Sequence, residues 1–125
     1  MQTHAISWFE IPVLDFPRAK KFYNTILNDE IHEMLMGEQL MGFFPCNPAD
    51  GGVGGALVLA DGYEPSKKGT KVYLNAGDNL YTVLNRVEAA GGKIITDKTE
   101  ITPEYGYYAE FEDTEGNYIS LHSKG

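Results

Sequence analysis

At 125 residues the chain is long enough to bury one core but not two independent ones, and its 42% hydrophobic content is that of a globular protein. A net charge of −8 excludes nucleic-acid binding, because Lys20-Lys21 and Lys67-Lys68 are isolated pairs and not the basic stripe that phosphates demand. No apolar run approaches the roughly 20 residues of a membrane helix. The opening Met1-Gln2-Thr3-His4 lacks the blocks of a signal peptide, and the single Cys46 forms no internal disulfide, so the expectation is a cytoplasmic protein.

The first element is an alternating strand, Ile6 to Val13. Phe9, Ile11 and Val13 share one face, which reads as core, while Trp8, Glu10 and Pro12 share the other, a mixture suited to the lining of a cleft. Asp15 then caps a helix over 16–27, with Pro17 in its first turn where the missing N–H costs nothing. Phe16, Ala19, Phe22, Tyr23, Ile26 and Leu27 recur at spacings of three and four, with Arg18, Lys20, Lys21 and Asn24 on the outer side. Asn28-Asp29 end it, and residues 30–36 and 39–44 read as a hairpin turning at Gly37-Glu38.

The loop from Pro45 to Gly55 is rich in glycine and proline. Gly51-Gly52-Val53-Gly54-Gly55 is not a phosphate cradle, since no Lys-Ser/Thr and no helix follow it. Residues 56–60 form the next strand and 61–69 a linker. The order then repeats. A strand over 71–76 leads to a helix over 80–90 that buries Leu80, Val83, Leu84 and Val87 and stops at Gly91-Gly92. Strands follow over 93–101, 105–112 and 118–123, the last two joined by the turn Asp113-Thr114-Glu115-Gly116-Asn117. In the final strand Ile119 and Leu121 match a core face, leaving Tyr118, Ser120 and His122 opposite. The pattern predicts an α+β domain over 1–125 made of two βαβββ modules, about 5–61 and 69–123, each helix covering one sheet and the inner sheet faces lining a cleft.

Three stretches carry a resemblance over almost the whole chain: Trp8-Phe9-Glu10-Ile11-Pro12-Val13 with Asp15, Arg18-Ala19 and Phe22-Tyr23; Arg86-Val87-Glu88-Ala89-Ala90-Gly91-Gly92-Lys93; and Asp113 to Asn117. Together they resemble the vicinal oxygen chelate superfamily: glyoxalase I, extradiol dioxygenases, fosfomycin-resistance transferases and bleomycin-resistance proteins. The resemblance implies paired βαβββ modules with curved mixed sheets and, for a small member, a homodimer.

It also implies where a metal would be held, at four inward positions that metal-using relatives fill with His or Glu. Here they fall on Trp8, on a residue within 55–59, on Val72 or Tyr73, and on Ser120. An indole N–H and aliphatic chains offer no lone pair, and one serine hydroxyl is a poor ligand. The expectation is therefore no metal and no cofactor. A shifted site built from Glu10 and His122 with Glu110 or Glu112 is the alternative, and would make the protein a lyase or isomerase resembling lactoylglutathione lyase. His4 and His32 read as surface residues and Cys46 as a bystander.

Without a metal the cavity becomes an aromatic pocket of Trp8, Tyr73, Tyr107 and Tyr118, with Glu10, Asn75, Ser120 and His122 as its polar groups. Such a pocket stacks flat aromatic compounds or holds cations over its ring faces. Small-molecule binding is the leading reading. A metal-free acid–base enzyme, with Glu10 as base and His122 as acid, and a cleft merely filled by its own side chains are the others.

Overall fold

The computed structural model describes residues 4–125; Met1–Thr3, and with them most of the opening stretch read above as lacking the blocks of a signal peptide, lie outside the described residues. The elements in chain order are β1 (Trp8–Pro12), α1 (Phe16–Leu27), β2 (His32–Met36), β3 (Gln39–Phe43), β4 (Gly54–Leu59), β5 (Tyr73–Asn75), α2 (Tyr81–Leu84), β6 (Lys93–Thr102), β7 (Gly106–Glu112) and β8 (Tyr118–Ser123). They form two four-stranded mixed sheets, β1-β4-β3-β2 and β5-β8-β7-β6, and within each the first strand runs parallel to its neighbour. This is the α+β fold that the βαβββ repeat predicts. No helix among the described residues is long and apolar enough to cross a membrane.

α1 has the predicted bounds. The Asp15 carboxylate accepts the Arg18 N–H at 3.1 Å, and Asn28 closes the helix in the left-handed region at φ 51°. The second helix is shorter than the expected 80–90, with regular geometry only over Tyr81–Leu84. Beyond it the bonding is irregular, with i→i+3 bonds such as Arg86 N–H to Val83 O at 3.0 Å and Val87 N–H to Leu84 O at 3.1 Å mixed with an i→i+4 bond from Ala90 N–H to Arg86 O at 3.1 Å. Tyr, Thr, Val and Asn are indifferent helix formers, so local preference does not enforce a regular helix. Burial of Leu80, Val83, Leu84 and Val87 holds the segment down all the same. Most strand bounds also move by one or two residues, β8 alone keeping the expected ones. β4 begins at Gly54 because it pairs with Trp8 on β1, and β5 keeps only three residues.

One apolar cluster spans both sheets. Ile11, Val13 and Leu57 from the first and Phe111, Ile119 and Leu121 from the second meet the buried faces of the two helical segments. The Phe22 ring on α1 lies 5.8 Å from that of Phe111. The turn before β8 then fastens the second half to the first. Glu115 accepts the N–H groups of Leu14 and Asp15 at 2.8 and 2.7 Å and the Arg18 Nε at 2.8 Å. Asn117 Nδ2 donates to Pro12 O at 2.8 Å, and its Oδ1 accepts the Ser66 N–H at 3.0 Å. The buried Tyr23 hydroxyl donates to Asp113 at 2.7 Å. Each such bond contributes roughly 1 kcal/mol, more where charge is involved. Helix, linker and turn are thereby held in one register, and with them the opposite faces of the sheets.

Candidate functional site

Strand pairing decides which side chains share the face away from the helices. In the first sheet Trp8 and Glu10 pair with Gly54 and Ala56, and Phe43 and Met41 continue the row on β3. In the second, Tyr73 pairs with Ser120, which pairs with Glu110; Asn75 pairs with His122, which pairs with Tyr108. β1 and β5 each form one edge of their sheet, and between them lies a cleft of about 480 Å³ lined by Trp8, Glu10, Lys71, Tyr73 and Asn75 among others.

Trp8 is a platform held on three sides. Its Nε1–H donates to Glu10 at 3.3 Å, its ring packs edge-on against Phe43 with centroids 5.8 Å apart, and its far edge lies over Gly54. A Cβ at position 54 would come within 3.2 Å of the indole and 3.1 Å of Cys46 Sγ, so glycine there leaves room for the edge of the ring. The indole is still 41% exposed, and Tyr73 across the cleft is 52% exposed. The second oxygen of Glu10 accepts the hydroxyl of Tyr63 at 2.8 Å, and that bond raises the phenol's pKa above its ordinary value. Trp8, Glu10, Tyr73 and Asn75 are thus brought together.

The other predicted residues are placed as follows. Ser120 is buried in β8, on the floor between Tyr73 and Glu110. Tyr118 lines a small adjoining cavity of about 100 Å³, which Glu10 also borders. His122 lies on the same face, and its Nε2 is 2.6 Å from the carbonyl of Tyr105, so it is not joined to Glu10 as an acid partner. Tyr107 requires a correction. It sits on the helix-covered row of β7 with Ala109 and Phe111, against the core, with Lys98 Nζ 4.6 Å from its ring centre. The tyrosine that β7 turns to the open face is Tyr108, because side chains alternate and the register to β8 was not readable from one strand.

Sequence reasoning missed two residues. Tyr63 lies in a linker without periodicity, and nothing local announces its bond to Glu10. Lys71 stands two residues before Tyr73, a spacing that shares a face along extended chain; its Nζ reaches Glu110 Oε2 at 2.6 Å. Hydrogen bonding to Glu110 raises the lysine's pKa.

A catalytic ion of the kind the fold suggests finds no fitting donors. The inward positions hold Trp8, Ala56 or Val58, Tyr73 and Ser120; the pairing of Tyr73 with Ser120 selects Tyr73 over Val72. Among the described residues no three of His, Cys, Asp or Glu gather as a metal site. The candidates for a shifted one are engaged separately: Glu10 by Tyr63, Glu110 by Lys71, Glu112 beside Lys67 at 3.8 Å, and His122 by Tyr105.

Comparison with known proteins agrees with this architecture. Residues 5–121 match the profile of the Glyoxalase/Bleomycin resistance protein/Dioxygenase superfamily. A glyoxylase-like domain-containing protein of Didymella fabae is 31% identical over 113 residues, 90% of this chain and 88% of that one. Among solved structures, TnmS3, an antibiotic binding protein from Streptomyces sp. CB03234, is 23% identical and superimposes with a TM-score of 0.65, covering 100% of this chain and 99% of that one. Glyoxalase I from Zea mays is 16% identical with a TM-score of 0.68, over 94% of this chain and 43% of that longer one. These two structural likenesses establish the shared fold.

Proposed function

The chain belongs to the Glyoxalase/Bleomycin resistance protein/Dioxygenase superfamily, and on that footing we propose that it is a metal-free small-molecule binding protein whose β1/β5 cleft takes a planar aromatic or cationic compound. Both modules, about 5–61 and 69–123, contribute to the site. One observation carries the reading: where metal-using relatives need ligands, the cleft presents an exposed indole whose edge lies against Gly54, shares its lining with Tyr73 and is hydrogen-bonded to the Glu10 carboxylate. Stacking on such a platform contributes about 0.5–1.5 kcal/mol beyond area burial, and a cation over the ring a similar amount.

Binding is favoured over acid–base catalysis by what already engages the polar groups. Both oxygens of Glu10 accept bonds from the protein itself, and the His122 ring is held at Tyr105. The antibiotic-binding description of TnmS3 points the same way. The working unit on this reading is a homodimer. The whole of β2 is exposed, Leu35 to 71% with Met34 and Met36 beside it, an apolar strand edge that a second copy would cover.

Thermal melts in the presence of neutral naphthalene and of 2-naphthylmethylammonium test the reading, with and without EDTA. The expectation is a saturable rise in Tm with at least one probe, indifferent to the chelator and lost in Trp8→Ala while its circular dichroism is retained. Ligand at a hundred times Kd adds about 2.7 kcal/mol of stability. A rise that EDTA abolishes, or that survives in Trp8→Ala, contradicts it.

A further inference from the structure

Lys71 is the only basic side chain among the described residues that line the cleft. Its ammonium lies 2.6 Å from Glu110 Oε2, and the side chains are 53% and 11% exposed. The sheet order β5-β8-β7 puts β8 between them, and Tyr73, Ser120 and Glu110 form one register row. To reach Glu110 the lysine must therefore cross over β8 on the open face, beside Ser120. An ammonium has three N–H donors, and Glu110 is its only hydrogen-bond acceptor among the described residues. Anchored on that largely buried carboxylate, the half-exposed lysine that lines the cleft keeps N–H donors beyond the one Glu110 takes.

We infer that Lys71 is the oxygen-binding group of the cleft, donating a hydrogen bond to a carbonyl oxygen on the edge of an aromatic ligand. This rests on the reading of the cleft as a ligand site and narrows its class to neutral aryl ketones, amides and their kin. The two walls are complementary: β1 brings the indole and an acceptor, Glu10, while the chain entering β5 brings a phenol and a donor. Glu10, Lys71 and Glu110 together carry one net negative charge, so a neutral carbonyl suits the site better than a carboxylate. A protein of net charge −8 adds to that discrimination.

Trp8 is the sole tryptophan, so its fluorescence reports on this cleft alone. The probes are 2-acetylnaphthalene, 2-isopropylnaphthalene, which has the same shape without the carbonyl, and 2-naphthoate. The expected result is saturable quenching by both neutral probes, with the ketone bound about 10-fold more tightly, in line with a hydrogen bond from a charged donor. In the double variant Lys71→Met, Glu110→Gln, which removes the ion pair without stranding a buried charge, that ratio falls to near one. Circular dichroism confirms that the variant is folded. Equal affinities in the native protein, a ratio unchanged in the double variant, or naphthoate binding more tightly than the ketone would overturn the role of Lys71. If neither neutral probe quenches Trp8, the reading of the cleft as an aromatic site fails first.

Discussion

Replacing Glu115 by Gln should cost the protein more than any change in the cleft. The Glu115 side chain is fully buried, yet it accepts bonds from two backbone N–H groups at 2.8 and 2.7 Å, from Arg18 Nε at 2.8 Å and Nη2 at 3.2 Å, and from the Thr114 hydroxyl at 2.8 Å. Burial alone would push this carboxyl up; the bonds from Arg18, Asp15, Leu14 and Thr114 outweigh it and bring the pKa down from 4.5 to about 2. A shift of that size corresponds to about 3 kcal/mol of stability, trimmed because Arg18 is 49% exposed and its share is screened. We therefore expect Glu115→Gln to lose about 2–3 kcal/mol at pH 7, or roughly 8–12 °C in Tm for a chain of this size. The folded pKa is depressed, so the native stabilisation is full above the unfolded value near 4.5 and is lost as pH falls through 2. The Tm difference between native and variant protein should narrow over that window, and taking the difference cancels the other carboxylates. Urea or thermal denaturation from pH 7 to pH 2 measures it. A variant within about 1 °C of native at pH 7, or a gap that stays constant down to pH 2, would refute the assignment of Glu115 as the fastener between the halves.

Tyr23→Phe removes the only tyrosine donor to Asp113, a bond of 2.7 Å in the buried interior, and should cost about 1–3 kcal/mol in urea denaturation; a loss below about 0.5 kcal/mol would mean the network closes without it. Gly42→Ala should destabilise by about 1–3 kcal/mol, because its Cβ would sit 2.7 Å from Ile31 Cγ2 and 2.8 Å from the Phe16 ring. Calorimetry showing an unchanged Tm would indicate that the core under α1 yields. Met34→Lys on the exposed β2 strand should shift the mass found by light scattering from dimer to monomer; a native protein that is already monomeric contradicts the proposed interface.

Most of the scaffold was legible in the chain because its signals are local. Asp15, Pro17 and the spacing from Phe16 to Ile26 define α1 without reference to any partner, and alternation defines β8 with Ile119 and Leu121 inward. The end of the second helix is not legible because its apolar spacing of three and four suits an α-helix and an irregular run of turns alike; Leu80, Val83 and Val87 are buried in the irregular form. The site was harder. Trp8, Glu10, Tyr73 and Asn75 follow from alternation on two strands, but Tyr107 and Tyr108 are distinguished only by pairing to β8. Tyr63 and Lys71 act through partners 53 and 39 residues away, and Glu115 through residues about 100 away, so their roles exist only once the sheets are assembled.

The most direct test of the central claim is a crystal structure of the protein soaked with a flat aromatic ketone such as 2-acetylnaphthalene. The account predicts density for the ring against the Trp8 indole, between β1 and β5, with its oxygen in reach of Lys71 Nζ. Density for the compound elsewhere, or a metal ion coordinated by protein side chains in that cleft, would contradict it.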